Sequence, residues 1–324
     1  MRSRTAIIRS TAFLQHDTGD HPERSARIIA VDCALERTRL LGTRPTVACT
    51  PAPDAAILRI HTPAMLAHLE GVAAAGGAWL DSDTVVRPES VEVARMAAGG
   101  AINAVDAMMT GQIDRAFVIS RPPGHHATTE RAMGFCLLNT VAIAAAHAIA
   151  VGLHRVAIID WDVHHGNGTQ DIFYGRADVL YCSLHQSPLY PGTGAREESG
   201  VGAGAGHTVN VPLPPGTDDE RFIDAFRHDI VPAIDRYAPQ LLMISAGYDA
   251  HSDDPVGGMA LTDQGFRALM RDAIVLAERH CEGKLLAVLE GGYHSQTLAR
   301  CVTDAITLLD GASRDWPVTV GNRK

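Results

Sequence analysis

The segment that begins at Asp160 has the residue types that bind a metal ion. It reads DWDVHHGNGTQ, and it places Asp160, Asp162 and His164 at alternate positions directly after the apolar run VAII. On an extended backbone, alternate side chains point to the same side, so two of these three groups could reach one metal. A carboxylate and an imidazole need at least one more ligand to form a zinc site with a position open for water.

A third candidate ligand follows another apolar run. The segment SAGYDAH supplies Asp249, shortly after a predicted strand that ends at Ser245. In open parallel sheets, ligands bind outside the carboxyl ends of the strands, where both polar clusters fall. An isolated Asp-x-His is more often a solvated turn. Combined with the clusters at other strand ends, it predicts one open metal site made by Asp162, His164 and Asp249.

The segment RPPGHHA carries groups suited to acid–base chemistry. Its two prolines fix the backbone, and Gly124 lets the chain turn tightly before His125 and His126. A histidine near a metal-held water can act as general base and then as general acid toward a leaving amine. Different partners would give the two histidines different protonation behaviour. The pair taken alone could instead be a surface turn.

The segment LEGGY ends another predicted strand. Gly291 and Gly292 permit close approach of the backbone, and Tyr293 carries a phenol that can donate a hydrogen bond to a developing oxyanion. An isolated tyrosine in this position would more often be a core residue whose hydroxyl has a partner. Its place at a strand end beside the other clusters favours a role in chemistry.

The elements that must position these groups follow from hydrophobic periodicity. Five short apolar runs end in polar residues or glycine, and we predict buried strands that end at Ser120, Asp160, His185, Ser245 and Glu290. Helical patterns lie between them, and we predict helices after Gly134, after Arg221, after Gln264 and near Ala64 to Ala78. This alternation predicts an α/β fold with a mainly parallel sheet flanked by helices.

The predicted organisation is a single catalytic domain over residues 1–324, with the active site at the carboxyl ends of the strands. The glycine-rich stretch 198–208 is predicted to be a surface loop. The net charge is −9 and dense runs of Lys and Arg are absent, so we expect no direct nucleic-acid binding. This acidity suits an amine-bearing substrate.

Cysteine usage and hydropathy bear on the compartment. Six cysteines are scattered without a CxxC pair, which indicates a reducing, cytoplasmic environment. The first residues lack the apolar run and cleavage site of a signal peptide, and the sequence lacks a stretch of eighteen uninterrupted apolar residues. We expect neither a signal peptide nor a membrane span.

The motifs together resemble those of the histone deacetylase superfamily. The resemblance rests on RPPGHHA, GFCLLN, DWDVHHGNGTQ, SLHQSPLYPGTG, SAGYDAHSDDPVGG and LEGGY, and HDTGDHPER is similar to the first active-site loop. It spans about Asp17 to Tyr293 and is closer to class II enzymes and their bacterial relatives, which include acetylpolyamine amidohydrolases. It implies the arginase/deacetylase fold, one zinc ion per chain held by Asp162, His164 and Asp249, and hydrolysis of an acylated amine.

The resemblance also implies roles for individual residues. His126 would be the general base and acid, and His125 would assist it electrostatically while hydrogen-bonded to Asp160. Tyr293 would donate to the oxyanion. Asn167 would orient His126 at a position where class I relatives carry an aspartate, and its amide cannot supply the same negative charge.

A second set of residues is implied to contact the substrate. In GFC, Gly134 and Phe135 would form one wall of the tunnel for the acyl-bearing chain. Tyr190 takes a position where relatives place a phenylalanine, and its extra hydroxyl would narrow or polarise the tunnel. Asp83 falls near the loop position that contacts the substrate backbone in relatives.

One position bears on which amide is cut. Seven residues beyond Asp249, polyamine-selective animal enzymes carry an acidic gatekeeper, and this chain carries Val256. A valine cannot pair with a second ammonium group, so we expect N-acetyl-lysine on a protein or peptide as the preferred substrate. An acetylpolyamine or another small acylated amine is the alternative.

The resemblance also implies a second ion site and raises two alternative functions. Relatives bind a monovalent cation, usually potassium, through main-chain oxygens around Asp160, Asp162 and His164 together with Ser183 and Leu184. Arginases share the fold but use two manganese ions, whereas the DxHH and GGY segments favour one metal. A catalytically silent acyl-lysine binder should lack an essential group, and here all of them are present.

Overall fold

The centre of the structure is a seven-stranded sheet. This computed structural model describes residues 4–42 and 44–311. Its strands are, in chain order, β1 (Thr5–Ile8), β2 (Ala78–Trp79), β3 (Val85–Val86), β4 (Arg115–Val118), β5 (Val156–Asp160), β6 (Val179–Gln186), β7 (Thr208–Leu213), β8 (Leu241–Ala246) and β9 (Leu285–Leu289). The large sheet has the order β1-β4-β9-β8-β5-β6-β7, and every neighbouring pair in it is parallel. The strands β2 and β3 form a separate antiparallel pair.

Helices cover both faces of the large sheet. They are α1 (Ala26–Arg37), α2 (Asp54–Ile57), α3 (Pro63–Ala74), α4 (Ser90–Met109), α5 (Thr140–Ala150), α6 (Asn167–Phe173), α7 (Asp219–Ala225), α8 (Val231–Tyr237), α9 (Asp263–His280) and α10 (Ser295–Gly311). Short 3₁₀ turns lie at Thr11–Gln15 and Gly202–Gly204, and a π-helical turn at Phe226–Ile230 joins α7 to α8.

The core has two parts because alternate side chains of a strand point to opposite faces of the sheet. In β5, Val156 and Ile158 pack with α4 and α5 on one face. Ala157 and Ile159 pack on the other face with α9 and α10. The whole of β5 is buried, as expected for a parallel strand between two helical layers.

The predicted fold class is confirmed: an α/β structure with a parallel sheet flanked by helices. All five predicted strands are present, and their observed ends lie within two residues of the predicted ones. The strands β1 and β7 were not predicted. β1 has only four residues, and β7 is an edge strand that contains Pro212, a residue that weakens the pattern of a strand.

Two predicted helix boundaries were wrong. The helix expected directly after Gly134 begins at Thr140, because the side chain of Asn139 accepts the N–H of Ala142 and caps α5 there. The helix expected near Ala64 to Ala78 ends at Ala74, since the two glycines that follow have positive φ and lead into β2.

Three further predictions concern the loop 198–208, membrane-spanning helices and the number of domains. Most residues of the predicted loop 198–208 are exposed, although the loop contains a 3₁₀ turn and its last residue begins β7. None of the described helices is both long and apolar enough to cross a membrane. The single domain over 1–324 stays a prediction, and residues 1–3, 43 and 312–324 of that span lie outside the described part.

Candidate active site

Asp162, His164 and Asp249 meet at the carboxyl ends of the adjacent strands β5 and β8. Their potential ligand atoms all lie within 4.8 Å of one another, and all three residues are buried. Nδ1 of His164 lies 3.0 Å from Oδ1 of Asp162 and 3.3 Å from Oδ2 of Asp249. The expected extended backbone was wrong here, because β5 ends at Asp160 and the chain then turns. The side chain of Asp160 is therefore directed to His125 instead.

The three residues fit a zinc ion. Oδ2 of Asp249 is buried without a hydrogen-bond partner among the described residues, while Oδ1 accepts the N–H of Val163 at 2.9 Å. Burial and the neighbouring Asp162 raise the pKa of Asp249 to about 7, because two close buried carboxylates repel each other. A divalent cation would remove that repulsion. Two carboxylates and one imidazole are zinc ligands that leave a fourth position for water.

Glycines make room for the two carboxylates. A Cβ atom on Gly291 would lie 2.0 Å from Oδ2 of Asp249 and 2.5 Å from Oδ2 of Asp162. The N–H of Gly291 instead donates to Oδ2 of Asp162 at 2.8 Å. A Cβ atom on Gly247 would lie 2.1 Å from the same oxygen. Gly291 of LEGGY and Gly247 of SAGYD are therefore required by close approach to the ligand carboxylates.

The adjacent histidines have different partners. Nδ1 of His125 donates to Oδ2 of Asp160 at 3.0 Å, and that oxygen also accepts the hydroxyl of Tyr181. Nδ1 of His126 donates to Oδ1 of Asn167 at 2.8 Å. Burial by itself would lower the pKa of His125, but Asp160 and nearby carboxylates outweigh it and raise the pKa to about 10. Burial and the positive charge of His125 lower the pKa of His126 well below its usual value.

These shifts leave a charged His125 beside a neutral His126, with ring centroids 4.0 Å apart. A neutral imidazole whose Nδ1 carries the proton has Nε2 free to accept another. Of the two histidines, His126 has the protonation state that a general base needs.

Tyr293 follows β9 and lies beside the metal-ligand group. Burial raises the pKa of its hydroxyl well above the usual value, and the carboxylates of Asp249 and Asp162 raise it further. The hydroxyl therefore stays protonated and can donate a hydrogen bond. The ring meets that of Phe135 edge to face, with centroids 5.7 Å apart.

Aromatic side chains lie beside the catalytic candidates. Phe135 also meets His21 edge to face, with centroids 4.4 Å apart. The ring of Tyr190 lies edge to face with that of His126, with centroids 5.1 Å apart, and Tyr190 is 38% exposed. A Cβ atom on Gly134 would lie 2.6 Å from the ring of His126 and 3.0 Å from that of Tyr190. Phe135, Tyr190 and Gly134 thus lie directly against Tyr293 or His126, whereas His21 contacts Phe135.

Asp83 lies close to Phe135, the residue predicted to form one wall of the tunnel. The hydroxyl of Thr84 accepts the N–H of Phe135 at 3.1 Å and donates to Oδ1 of Asp83 at 3.3 Å. Burial and the adjacent Asp81 raise the pKa of Asp83. Val256 is half-buried, and its N–H donates to Asp254.

Two buried carboxylates at this site, those of Glu290 and Asp254, were not predicted from the sequence. Glu290 accepts the N–H groups of Gly124 and His125 at 2.6 and 3.2 Å, and so holds the loop that carries the histidines. Asp254 accepts the N–H of Tyr293 at 2.6 Å. An acidic residue at the end of an apolar strand is a signal that could have pointed to Glu290. Asp254 lies in the same segment as Val256, but the sequence predicted a role only for Val256.

The region of the predicted monovalent-cation site joins β5 and β6. The register of these strands pairs Asp160 with Ser183, and Leu184 follows in β6. The predicted main-chain ligands therefore belong to neighbouring strands. The cation site itself stays a prediction.

A second group of potential ligands is a hydrogen-bonded cluster. His251, Asp263 and Cys301 also bring potential ligand atoms together. However, Nδ1 of His251 accepts the N–H of Asp253, so Nε2 carries the proton and donates to Asp263 at 3.1 Å. Asp263 is further paired with Arg300. These bonds occupy the atoms that a metal would need.

The family follows from comparison with known proteins. The histone deacetylase domain model matches residues 21–309. The chain belongs to the histone deacetylase family. It is 43% identical over 292 residues to a probable deacetylase of Archaeoglobus fulgidus, covering 89% of this chain and 81% of that protein. It is also 43% identical over 266 residues to a histone deacetylase-like amidohydrolase of Pseudomonas aeruginosa, covering 81% of this chain and 69% of that protein.

A solved structure of this deacetylase family has the same fold. The crystal structure of the HDA15 HD domain matches 95% of this chain, and the match covers 89% of that domain. The TM-score is 0.89 at 35% sequence identity. These likenesses make the chain a member of a family of amide hydrolases, as its motifs indicated.

Proposed function

We propose that this chain is a zinc-dependent deacylase that hydrolyses N-acetyl-lysine on a protein or peptide. The observation that carries the proposal is the buried Oδ2 of Asp249, which accepts no hydrogen bond from the described residues and lies 3.3 Å from Nδ1 of His164, with Asp162 also within reach. A neutral His126 and a protonated Tyr293 belong to the same site. Metal ligands, base and oxyanion donor are the groups that amide hydrolysis requires.

Each side chain of the site has a separate role in the proposed reaction. Zinc, when bound, supplies a Lewis acid for the acyl carbonyl and the attacking water. His126 accepts the proton of that water at Nε2, while Asn167 holds its Nδ1–H. His125 stays paired with Asp160 and contributes positive charge. Tyr293 donates its hydroxyl hydrogen to the developing oxyanion, and the proton on His126 then passes to the leaving amine.

Val256 supports the preference for acyl-lysine. An apolar side chain at this position cannot form an ion pair with a second ammonium group of a polyamine. Phe135 and Tyr190 present aromatic surfaces of the kind that pack against the alkyl chain of lysine.

One observation favours acetylpolyamine as the second candidate substrate. Asp81 and Asp83 lie together on the loop tied to Phe135, and each affects the ionisation of the other. Acidic groups beside the approach would attract the free ammonium groups of a polyamine. The same groups could contact the backbone N–H of a peptide, so turnover must decide between the two.

The test combines metal removal with a substrate panel. Purified protein is stripped with a chelator, its metal content is measured, and turnover of acetyl-lysine peptides, acetylputrescine and acetylspermidine is followed before and after zinc is restored. We expect activity to vanish and to return with one zinc per chain, with peptides turned over faster. Full activity in verified metal-free protein, or a requirement for two metals, would refute the zinc assignment. Turnover of polyamines more than roughly tenfold faster would reverse the substrate preference.

The proposed compartment is the reducing cytoplasm. All six cysteines are free, and four of them are buried. A buried reduced thiol behaves as a small apolar core residue, which agrees with this proposal.

A further inference from the structure

Asp254 joins two segments of the active site through its carboxylate. It is buried in the loop that follows β8, five residues beyond Asp249. Oδ2 accepts the N–H groups of Tyr293 and His294 at 2.6 and 3.2 Å, and Oδ1 accepts the N–H of Val256 at 3.0 Å. An ionised carboxylate only accepts hydrogen bonds, so three backbone donors suit it well.

The backbone of Tyr293 needs such a restraint. It follows Gly291 and Gly292. Gly292 has a φ of +117°, a backbone conformation that glycine adopts readily and other residues rarely adopt. Two glycines by themselves would leave the direction of the tyrosine ring poorly defined. The position of the hydroxyl therefore depends on the bonds that the segment makes with its surroundings.

Two charged side chains hold this segment from different elements. Arg27 of α1 donates to the carbonyl of Gly292 at 2.7 Å, and its guanidinium lies 4.9 Å from the centre of the Tyr293 ring. Asp254 accepts the N–H groups that follow. These N–H groups directly precede α10, where a negative charge also interacts favourably with the helix dipole.

We propose that Asp254 is a positioning residue for the deacylation reaction. It fixes the backbone of Tyr293, and thereby the hydroxyl that donates to the oxyanion, to the same carboxylate that holds the Val256 segment. The inference rests on the proposed function for its effect on turnover. Its effect on the tyrosine itself does not depend on turnover.

A double-mutant cycle tests the effect on turnover. Asp254→Asn, Tyr293→Phe and the double variant are compared with the unaltered protein on an acetyl-lysine peptide. If Asp254 acts through Tyr293, Asp254→Asn lowers kcat by about tenfold to a hundredfold, with less than about a threefold change in KM, and it causes no further loss in Tyr293→Phe. Equal losses in both backgrounds would show a merely structural role and overturn the proposal.

The neighbouring Asp253 offers a matched control. Its side chain is 48% exposed and accepts the hydroxyl of Thr297, with no bond to Tyr293. Asp253→Asn removes the same charge one position earlier, and we expect kcat to stay within about twofold of the unaltered value. Thermal unfolding shows whether each variant is folded, and metal analysis shows whether it contains zinc.

A measurement without turnover separates this inference from the proposed function. The six tyrosines are replaced by 3-fluorotyrosine, and the ¹⁹F signal that disappears in Tyr293→Phe is assigned to residue 293. We expect Asp254→Asn to shift or broaden that signal, while the signals of Tyr174 and Tyr237 stay unchanged. An unchanged Tyr293 signal would overturn the positioning role. Absence of turnover in the unaltered protein would refute only the proposed function.

Discussion

Oδ1 of Asn167 lies 2.8 Å from Nδ1 of His126, so the proposed general base is oriented by a neutral amide. A carboxylate in the same place would stabilise the protonated imidazole and raise the pKa of His126. We predict that Asn167→Asp moves the acidic limb of the kcat/KM profile to higher pH by about one unit, because the base then becomes neutral only at higher pH. Asn167→Ala is the control: it should lower the plateau without this shift. An acidic limb that stays in place in Asn167→Asp would contradict the assignment of His126 as base.

Tyr293 and His126 should dominate the chemical step. We expect Tyr293→Phe and His126→Ala each to lower kcat by about two to four orders of magnitude, since one removes the oxyanion donor and the other the acid–base group. Zinc content should remain at one ion per chain in both variants. Near-normal turnover in either of them would remove that residue from the mechanism.

Gly291 should be required for metal affinity. In Gly291→Ala the new Cβ atom would lie 2.0 Å from Oδ2 of Asp249, so the carboxylate must move. We expect zinc affinity, measured by competition with a chelator, to fall by about tenfold to a hundredfold. Gly71→Ala in α3, where a Cβ atom meets nothing within 4 Å, serves as the control and should bind zinc as the unaltered protein does. Equal affinity in both variants would argue against the site.

Val256 should set the balance between peptide and polyamine. We predict that Val256→Glu raises the turnover of acetylspermidine relative to an acetyl-lysine peptide by about twofold to fivefold, the value of one exposed ion pair. Val256→Gln has the same shape without the charge and should leave the ratio nearly unchanged. If Val256→Gln and Val256→Glu shift the ratio of acetylspermidine to peptide turnover equally, the charge at this position does not determine substrate preference.

His61 should contribute to the acid sensitivity of the fold. Its Nδ1–H donates to the carbonyl of Thr128 at 2.8 Å, and Nε2 accepts the N–H of Asn139 at 3.0 Å, so both ring nitrogens are used by the neutral form. Burial lowers its pKa to about 4, from 6.5 in an unfolded chain. The unfolded state therefore binds the proton first, and the stability that His61 provides is lost as the pH falls from about 6.5 toward 4.

The variant His61→Gln tests this in metal-free protein. It should be less stable than the unaltered chain at pH 7, and the difference in unfolding free energy should shrink by about 2 kcal/mol at pH 5. His154→Gln, at an exposed position, should show no such change. A difference that stays constant with pH would mean that His61 does not titrate in this range.

Local sequence patterns were enough to predict the sheet and the chemical groups at its edge. Apolar runs that end in DWD, SAGYD and LEGGY predict parallel strands, and parallel strands bring their carboxyl ends to one side. This is why Asp162, His164 and Asp249 could be grouped correctly although 85 residues separate the last two. The motif resemblance added the family, which the comparisons confirmed.

The contacts that hold these groups in place could not be predicted from local patterns. Asp254 and Glu290 contact backbone N–H groups 39 and 166 residues away, and a bond of that kind leaves no periodic signal in the chain. The motif resemblance implied the bond between His125 and Asp160, but the extended pattern did not reveal its physical basis, which is the end of β5 at Asp160. Residue types and local periodicity are properties of neighbours in sequence. The partners of a buried carboxylate are selected by the packing of strands and loops that are distant in sequence.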